Sequence, residues 1–163
     1  MSYLPLSHIA GLAFDLFTMI IIGTETYFAK PDALQGTLVE TLIWARPMVF
    51  LAVPRVWEKF EDKLKEIGKT KPAIMQQISG WAKKQGAYRV KQMQKGKEDP
   101  FMYKIANALL LKRIKEAIGL DQAEVFLFGA APLKKTTVKY FSSLDIPIIN
   151  MYGLSETTGP TVS

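Results

Sequence analysis

The sequence predicts an α/β fold in which helices cover both faces of a parallel sheet, the doubly wound arrangement. Short apolar runs alternate along the chain with longer segments of helical periodicity, which is typical of this class. Met48–Val53 is a continuous apolar run, as expected of a strand that is covered on both faces, Glu124–Phe128 is predicted to be a strand, and Ile146–Ile149 is predicted to be a buried strand. The chain has 163 residues, of which 48% are hydrophobic, so a real core is possible.

The first third of the chain predicts alternating elements. Ser2–Gly11 is interpreted as a short strand, and Ala10–Ile22 as a buried helix that runs into a strand and is too short to span a membrane. Thr24–Ala29 is predicted to be a further strand. Pro31 suits the first turn of a helix that Pro47 ends, with a buried face of Leu34, Leu38, Leu42 and Ala45.

The middle of the chain predicts mainly helices. Pro54 opens a helix that ends at Gly68, with Trp57, Phe60, Leu64 and Ile67 on one side. Lys71–Gln94 and Phe101–Ile118 follow as two helices joined by the loop Lys95–Pro100, so a helical insertion is expected at about residues 69–118. The apolar side of the second is predicted to be Met102, Ala106, Leu109, Leu110, Ile114 and Ala117.

A last helix, Leu133–Leu144, is predicted to return the chain to the final strand. Its packing residues are expected to be Leu133, Thr137, Tyr140, Phe141 and Leu144.

Composition excludes several kinds of site. The chain has no cysteine, so a disulfide framework, a thiolate nucleophile and a cysteine-ligated metal are excluded, and His8 is the single histidine. The chain opens without a signal peptide, which predicts a cytoplasmic or cytoplasm-facing protein.

The formal charge of +6 is concentrated in one segment. Lys69–Lys97 contains eight Lys and Arg and no acid, which leaves 13 basic and 15 acidic residues, a net −2, elsewhere. A basic amphipathic helix of this kind suits an anionic membrane surface. We favour the alternative of a helix packed on its own domain with a solvated lysine face, and nucleic acid has little support because no base-reading motif accompanies the charge.

The stretch Asn150–Pro160 carries the most chemistry. It reads Asn-Met-Tyr-Gly-Leu-Ser-Glu-Thr-Thr-Gly-Pro, and its glycines predict a loop at the carboxyl end of a strand, where open α/β sheets bind ligands. Tyr152 offers a flat face for a base, Gly153 allows close backbone approach, Ser155 supplies a hydroxyl and Glu156 suits Mg²⁺. These are the parts of a Mg-nucleotide site. The alternative is a helix cap at Ser155 and Glu156 with Tyr152 in the core.

Tyr152–Thr157 resembles the Tyr-Gly-x-Thr/Ser-Glu motif of the adenylate-forming superfamily, which includes acyl-CoA synthetases, luciferases and peptide-synthetase adenylation domains. Three further phrases are most similar to the bubblegum type of long-chain acyl-CoA synthetase: Tyr3-Leu4-Pro5-Leu6-Ser7-His8, Val53-Pro54-Arg55-Val56-Trp57-Glu58-Lys59-Phe60 and Phe128-Gly129-Ala130-Ala131-Pro132. The resemblance implies that residues 1–163 are part of the AMP-binding, amino-terminal domain of such an enzyme.

The resemblance also implies roles for individual residues. Glu156 would be the Mg²⁺ ligand and Ser155 a phosphate or adenylate contact, which makes them the catalytic pair. Tyr152 would stack on adenine, and His8 would border the channel between the nucleotide and acyl pockets; a satisfied structural histidine is the alternative. The nucleotide-binding set would be Gly129, Ala130, Ala131, Pro132, Met151, Tyr152, Gly153, Leu154 and Ser155. A tight strand-to-helix turn explains Gly129–Pro132 equally well.

The expected activity is long-chain fatty acid–CoA ligation from fatty acid, ATP and coenzyme A, with Mg²⁺. The protein is expected to be cytoplasmic. An additional interpretation is peripheral contact with the endoplasmic reticulum membrane through Lys69–Lys97. No phosphate loop precedes Ser2 and no carboxy-terminal domain follows Ser163, so an internal fragment that is inactive alone is expected. Two other classes stay open: an adenylate-forming enzyme with another acceptor, and a non-catalytic nucleotide- or lipid-binding module.

Overall fold

The computed structural model describes residues 1–154 and 159–162. A parallel sheet at its centre has the strand order β1 (Val49–Ala52), β2 (Val125–Phe128) and β3 (Ile148–Asn150). Ala52 is paired with Phe128 and Phe128 with Asn150, so the three strands end at one edge of the sheet. The three strands predicted from the apolar runs are confirmed, with bounds that differ by one or two residues.

Helices connect and cover these strands: α1 (residues 9–22), α2 (Leu38–Ala45), α3 (Pro54–Lys69), α4 (Ala73–Met93), α5 (residues 101–117) and α6 (Lys135–Ser143). Two of them contain a π-helical stretch, Leu12–Phe17 in α1 and Asn107–Leu111 in α5. The predicted helical insertion is therefore present as α4 and α5. In the part of the chain that the structure describes, none of the helices is both long and apolar enough to cross a membrane.

An aromatic cluster fixes α3 and α6 on one face of the sheet. Phe50 of β1 is buried, and the Trp57 ring of α3 lies 5.3 Å from it and 4.9 Å from the Phe141 ring of α6. Trp57 also donates its indole N–H to the carbonyl of Leu127 in β2, at 3.2 Å. Burial of these large rings stabilises the layer, and the indole hydrogen bond satisfies the one polar atom that burial would otherwise leave unpaired. The predicted packing of α6 through Phe141 is confirmed.

The other face of the sheet is only partly covered by the described residues. On that face Val49 and Ile149 are each 46% exposed and only the central Leu127 is buried, whereas Phe50 and Ile148 on the covered face are buried. Successive residues of a strand point to opposite faces, so this alternation means that the helices pack mainly on one side. The expectation that Met48–Val53 is buried on both faces is wrong for this chain.

The amino-terminal elements differ from their predictions. The strands expected at Ser2–Gly11 and Thr24–Ala29 reduce to one parallel bridge, in which the Ser2 N–H donates to Tyr27 and the Ala29 N–H donates to Ser2. The expected buried helix at Ala10–Ile22 is a helix, but its end is exposed and does not continue as a strand. Gly23, with φ of 73°, ends it in the left-handed conformation.

Several residues that were predicted to pack inside the fold are exposed on their helices. Leu34 is 46% exposed because a separate 3₁₀ turn, Ala33–Gln35, precedes α2 and breaks the helical period, while Leu38 and Leu42 are buried as predicted. In α5, Met102, Leu109 and Ala117 are exposed, and Tyr103 and Leu111 are buried. The π-helical turn at Asn107–Leu111 holds an extra residue and rotates the face that follows, which explains the change at and beyond Leu109. Ile67 of α3 is 45% exposed instead of packed.

The last strands form a hairpin where a loop was expected. β4 (Tyr152–Leu154) pairs antiparallel with β5 (Gly159–Val162), with Gly153 opposite Pro160. A two-stranded ribbon has only edge strands, so a proline without an N–H is compatible with it. The glycines of the motif therefore lie within extended, paired backbone.

Candidate functional site

The candidate site lies at the carboxyl edge of the sheet, where two motifs meet. Gly129–Pro132 directly follows β2, and Met151–Gly153 follows β3, the next strand along. The Met151 N–H donates to the Phe128 carbonyl at 2.8 Å, so the two segments are joined by their backbones. The prediction that Gly129 and Tyr152 share an edge of neighbouring parallel strands is confirmed.

The backbone at this edge needs small residues. A Cβ added at Gly129 would lie 3.0 Å from the Met151 carbonyl oxygen, a separation tighter than ordinary contacts. Ala130 has φ of 70°, in the left-handed region that L-residues other than glycine rarely adopt. Backbone held in a sparsely populated conformation concentrates at functional sites, and here it follows the strand end directly. The turn therefore presents a strained, flat wall of small side chains.

Tyr152 supplies an aromatic side chain one residue beyond Met151, whose backbone meets that turn. Its side chain is 55% exposed, so the alternative that places it in the core is wrong. Ala130, Ala131 and Pro132 are also exposed, while Met151 is half-buried. An accessible ring beside a wall without bulky side chains fits a planar ligand such as a nucleotide base, which stacks on aromatic faces and approaches backbone closely.

Cations and helix ends face the same edge. α3 begins after β1 and α6 begins after Gly129–Pro132, so their amino-terminal partial positive charges are directed to it. Glu58 holds two exposed cations there: Arg55 at 3.8 Å and Lys134 at 3.2 Å. Arg55 is thus an exposed ion-pair partner, with 79% of its side chain accessible. Its link through Glu58 to Lys134, far along the chain, has no local signal in the sequence.

His8 is a helix-capping residue in this structure. Its Nδ1 accepts a hydrogen bond from the Ala10 N–H at 3.1 Å, and its own N–H donates to the Pro5 carbonyl at 2.9 Å. The side chain is exposed, which leaves Nε2 available to a ligand. The structural role of His8 is thus observed, and its place in a substrate channel stays a prediction.

The predicted catalytic residues Ser155 and Glu156 lie outside the described residues. Leu154 is described only as part of the β4 backbone. Within residues 1–154 and 159–162, no group of three or more His, Asp or Glu side chains is arranged to hold a metal ion. The Mg²⁺ prediction therefore depends on Glu156 and is not tested by the geometry.

Comparison with known proteins agrees with the motif. The family model described as AMP-binding enzyme matches residues 1–163. The chain is 44% identical over 164 residues to the long-chain-fatty-acid–CoA ligase ACSBG2 of Gallus gallus, in an alignment that takes in 99% of this chain and 22% of that protein. It is 42% identical over 160 residues to ACSBG2 of Homo sapiens, with 98% and 24% covered, and 39% identical over 159 residues to ACSBG1 of Rattus norvegicus, with 98% and 22% covered.

The chain spans between 22% and 25% of the length of these curated relatives. No solved structure matches it. The resemblance to bubblegum-type long-chain acyl-CoA ligases is confirmed by these similarities, which extend over nearly the whole chain.

Proposed function

The chain belongs to the AMP-binding enzyme family, and from that premise we propose that it supplies the base-binding edge of a long-chain fatty acid–CoA ligase. The observation that carries the proposal is the junction at the sheet edge, where the exposed Tyr152 ring stands beside the small-residue turn at Gly129–Pro132. The relatives at 39–44% identity are named as long-chain-fatty-acid–CoA ligases, which supports the choice of acyl substrate and acceptor.

The proposed reaction has two steps. A carboxylate oxygen of the fatty acid attacks the α-phosphorus of ATP, forms an acyl–adenylate bond and displaces pyrophosphate. The thiol of coenzyme A then attacks the acyl carbon, forms the thioester, gives up its proton and displaces AMP. Neither step needs an enzyme nucleophile. Catalysis then depends on placing two anions in line and neutralising charge on the phosphate.

Each site residue takes a role in this scheme. Tyr152 stacks on adenine, and Gly129, Ala130, Ala131 and Pro132 form the wall of the adenine pocket. Met151, Gly153 and Leu154 hold that wall and the ring in place through the β3–β4 backbone. Ser155 contacts the phosphate or adenylate, Glu156 holds Mg²⁺, and His8 borders the channel to the acyl pocket. The bound Mg²⁺ would supply positive charge against the phosphate oxygens.

The test is Glu156→Ala in the complete gene product. Loss of a metal ligand is expected to lower ATP–pyrophosphate exchange with a long-chain fatty acid by about 10²-fold or more, because a bound metal ion contributes several kcal/mol to charge stabilisation. Glu124→Ala is the matched control, since Glu124 is an exposed acid just before β2. A Glu156→Ala protein with the exchange rate of the parent would contradict the metal role.

The acceptor is tested separately. With the parent protein, release of AMP is expected to require coenzyme A. It is expected to fail when an amine or a carrier protein replaces coenzyme A as the acyl acceptor. Exchange of pyrophosphate without transfer to coenzyme A would favour an adenylate-forming enzyme of another class. Binding of ATP without any exchange would favour a non-catalytic nucleotide-binding module.

We also propose that the protein works at the cytoplasmic face of the endoplasmic reticulum membrane and touches it through the basic segment Lys69–Lys97. Eight cations without an acid in that segment support attraction to anionic lipid.

A further inference from the structure

A cavity of about 370 Å³ opens where α3, α4, α5 and Tyr140 of α6 meet. Its walls are largely apolar and include Leu64, Ile67, Met75 and Ile114. The cavity is also lined by four lysines, Lys65, Lys69, Lys71 and Lys83. None of its described lining residues is acidic. An apolar cavity with only positive charge at its border is complementary to a molecule with an apolar chain and an anionic head.

The cavity is remote from the candidate nucleotide site. α3 begins at Pro54, directly after the carboxyl end of β1, and the cavity lies at the other end of this helix. Leu64, the first α3 residue that lines the cavity, lies ten residues beyond Pro54, which is an advance of about 15 Å at 1.5 Å per residue. A ligand of the cavity is therefore distinct from one bound beside Tyr152.

Two of the lysines are fixed at the inner end. The Lys65 and Lys83 ammonium groups lie 5.1 and 5.0 Å from the centroid of the Tyr140 ring. Lys65 is paired with Glu61 at 2.5 Å, whereas burial and the neighbouring Lys65 lower the pKa of Lys83. An anion near these groups would relieve the repulsion between the two lysines. Glu61 and Tyr140 are the other titratable groups that face them.

The mouth of the cavity is a protruding tip where α3 turns into α4. Every residue from Lys65 to Ile78 is exposed. Ile67, Ile74 and Met75 remain 45%, 72% and 44% accessible to water beside Lys69 and Lys71. A pocket for a soluble ligand encloses most of that ligand, which these open walls do not do. A bilayer interface, in contrast, covers apolar side chains and meets lysines at its phosphates.

We propose that this α3–α4 tip docks on an anionic phospholipid bilayer, with Lys69 and Lys71 at the lipid phosphates and Ile67 and Ile74 in the acyl boundary. This proposal rests on the membrane contact given under the proposed function, and it specifies which residues make that contact. It does not depend on the ligase chemistry. It restricts the contact to one end of the basic segment.

The test compares two lysine pairs in the complete gene product. Binding to phosphatidylcholine vesicles with and without phosphatidylserine is measured by sedimentation. One lysine near an anionic surface changes binding about fivefold, so Lys69→Gln with Lys71→Gln is expected to weaken it about 25-fold. The control, Lys95→Gln with Lys97→Gln, removes the same charge beyond the far end of α4, whose 21 residues extend about 30 Å; it is expected to change binding less than threefold.

Two further variants complete the design. Ile74→Ser removes apolar contact without a change of charge and is expected to weaken vesicle binding several-fold, and matching thermal melting curves would show that each variant is folded. Glu156→Ala is expected to bind vesicles as the parent does, so a failure of the ligase proposal is distinguishable from a failure of this one. Equal losses for both lysine pairs would overturn the proposal in favour of general charge attraction. Weaker binding of monomeric dodecyl phosphate by the Lys69/Lys71 variant, with vesicle binding unchanged, would also overturn it and identify a soluble-ligand pocket.

Discussion

Asp145 joins the helical insertion to the strand that leads into the candidate site. It lies in the turn between α6 and β3, is 4% exposed and has φ of 61°. Its carboxylate accepts hydrogen bonds from Arg89 at 2.9 Å, the Tyr103 hydroxyl at 2.7 Å and Lys115 at 2.9 Å. Arg89 comes from α4 and the other two from α5. Burial of the Tyr103 hydroxyl, with the hydrogen bond to Asp145, raises the pKa of Tyr103, so it stays a donor at physiological pH.

Removing the charge of Asp145 should be costly. Asparagine keeps the shape and tolerates the left-handed conformation, so Asp145→Asn isolates the loss of the anion that pairs with two partly buried cations. We expect the free energy of unfolding to fall by about 3 kcal/mol, measured by denaturant titration of the complete gene product. Glu40→Gln is the control, because the Lys30–Glu40 pair is 63% and 68% exposed and should contribute about 0.5 kcal/mol or less. Equal losses of unfolding free energy for the two substitutions would contradict a stabilising role of the Asp145 charge.

At the scale of elements, the close contact of α4 with α6 depends on a glycine. A Cβ added at Gly86 would lie 2.3 Å from the Ser143 carbonyl oxygen, which is backbone and cannot turn aside. Gly86→Ala should therefore destabilise the fold by about 2 kcal/mol through overpacking. Gly80, in the same helix, has nothing within 4 Å of such a Cβ. Gly80→Ala should stabilise by about 0.5–1 kcal/mol through helix propensity alone. Thermal melting of both variants provides the measurement, and a stable Gly86→Ala protein would disprove the contact.

The elements were predictable where the signal is local. Pro54 at the start of α3 and Gly119, with φ of 70° after α5, mark helix ends in the sequence as they do in the structure. The buried face of α5 was not predictable, because the π-helical stretch at Asn107–Leu111 shifts it and has no signature in the apolar pattern. The exposure of the end of α1 was not predictable for another reason. An apolar sequence indicates a preference for burial, but it does not show whether a packing partner is present.

The candidate site divides in the same way. The edge formed by Gly129 and Tyr152 follows from strand order and two short motifs, so sequence reasoning reached it. Lys134 was missed because its partner Glu58 lies 76 positions earlier in the chain, and only the fold brings them within 3.2 Å. Asp145 was missed likewise, since it is separated from Arg89 by 56 positions.

At the scale of the whole molecule, a large apolar surface remains on the amino-terminal side. It consists of the end of α1 and the segments beside it. Its members are 67–79% exposed: Ile20, Ile21, Ile22, Phe28 and Trp44. The Tyr27 ring meets Trp44 edge to face at 4.9 Å and connects the last two. Large apolar side chains that are exposed to this extent favour association with other polypeptide.

A polypeptide of these 163 residues should therefore self-associate in solution, because burial of each large side chain contributes about 1.5–3 kcal/mol. Ile20→Ser with Ile22→Ser is expected to shift its sedimentation profile toward the monomer, by roughly tenfold or more in the association constant. The matched control is Phe101→Ser with Ile105→Ser, two exposed apolar residues of α5. If the control pair lowers the association constant as much, non-specific hydrophobic association explains the self-association. If only the Ile20/Ile22 pair does so, the amino-terminal surface is a specific interface, and polypeptide that covers it in a longer chain should abolish self-association without either substitution.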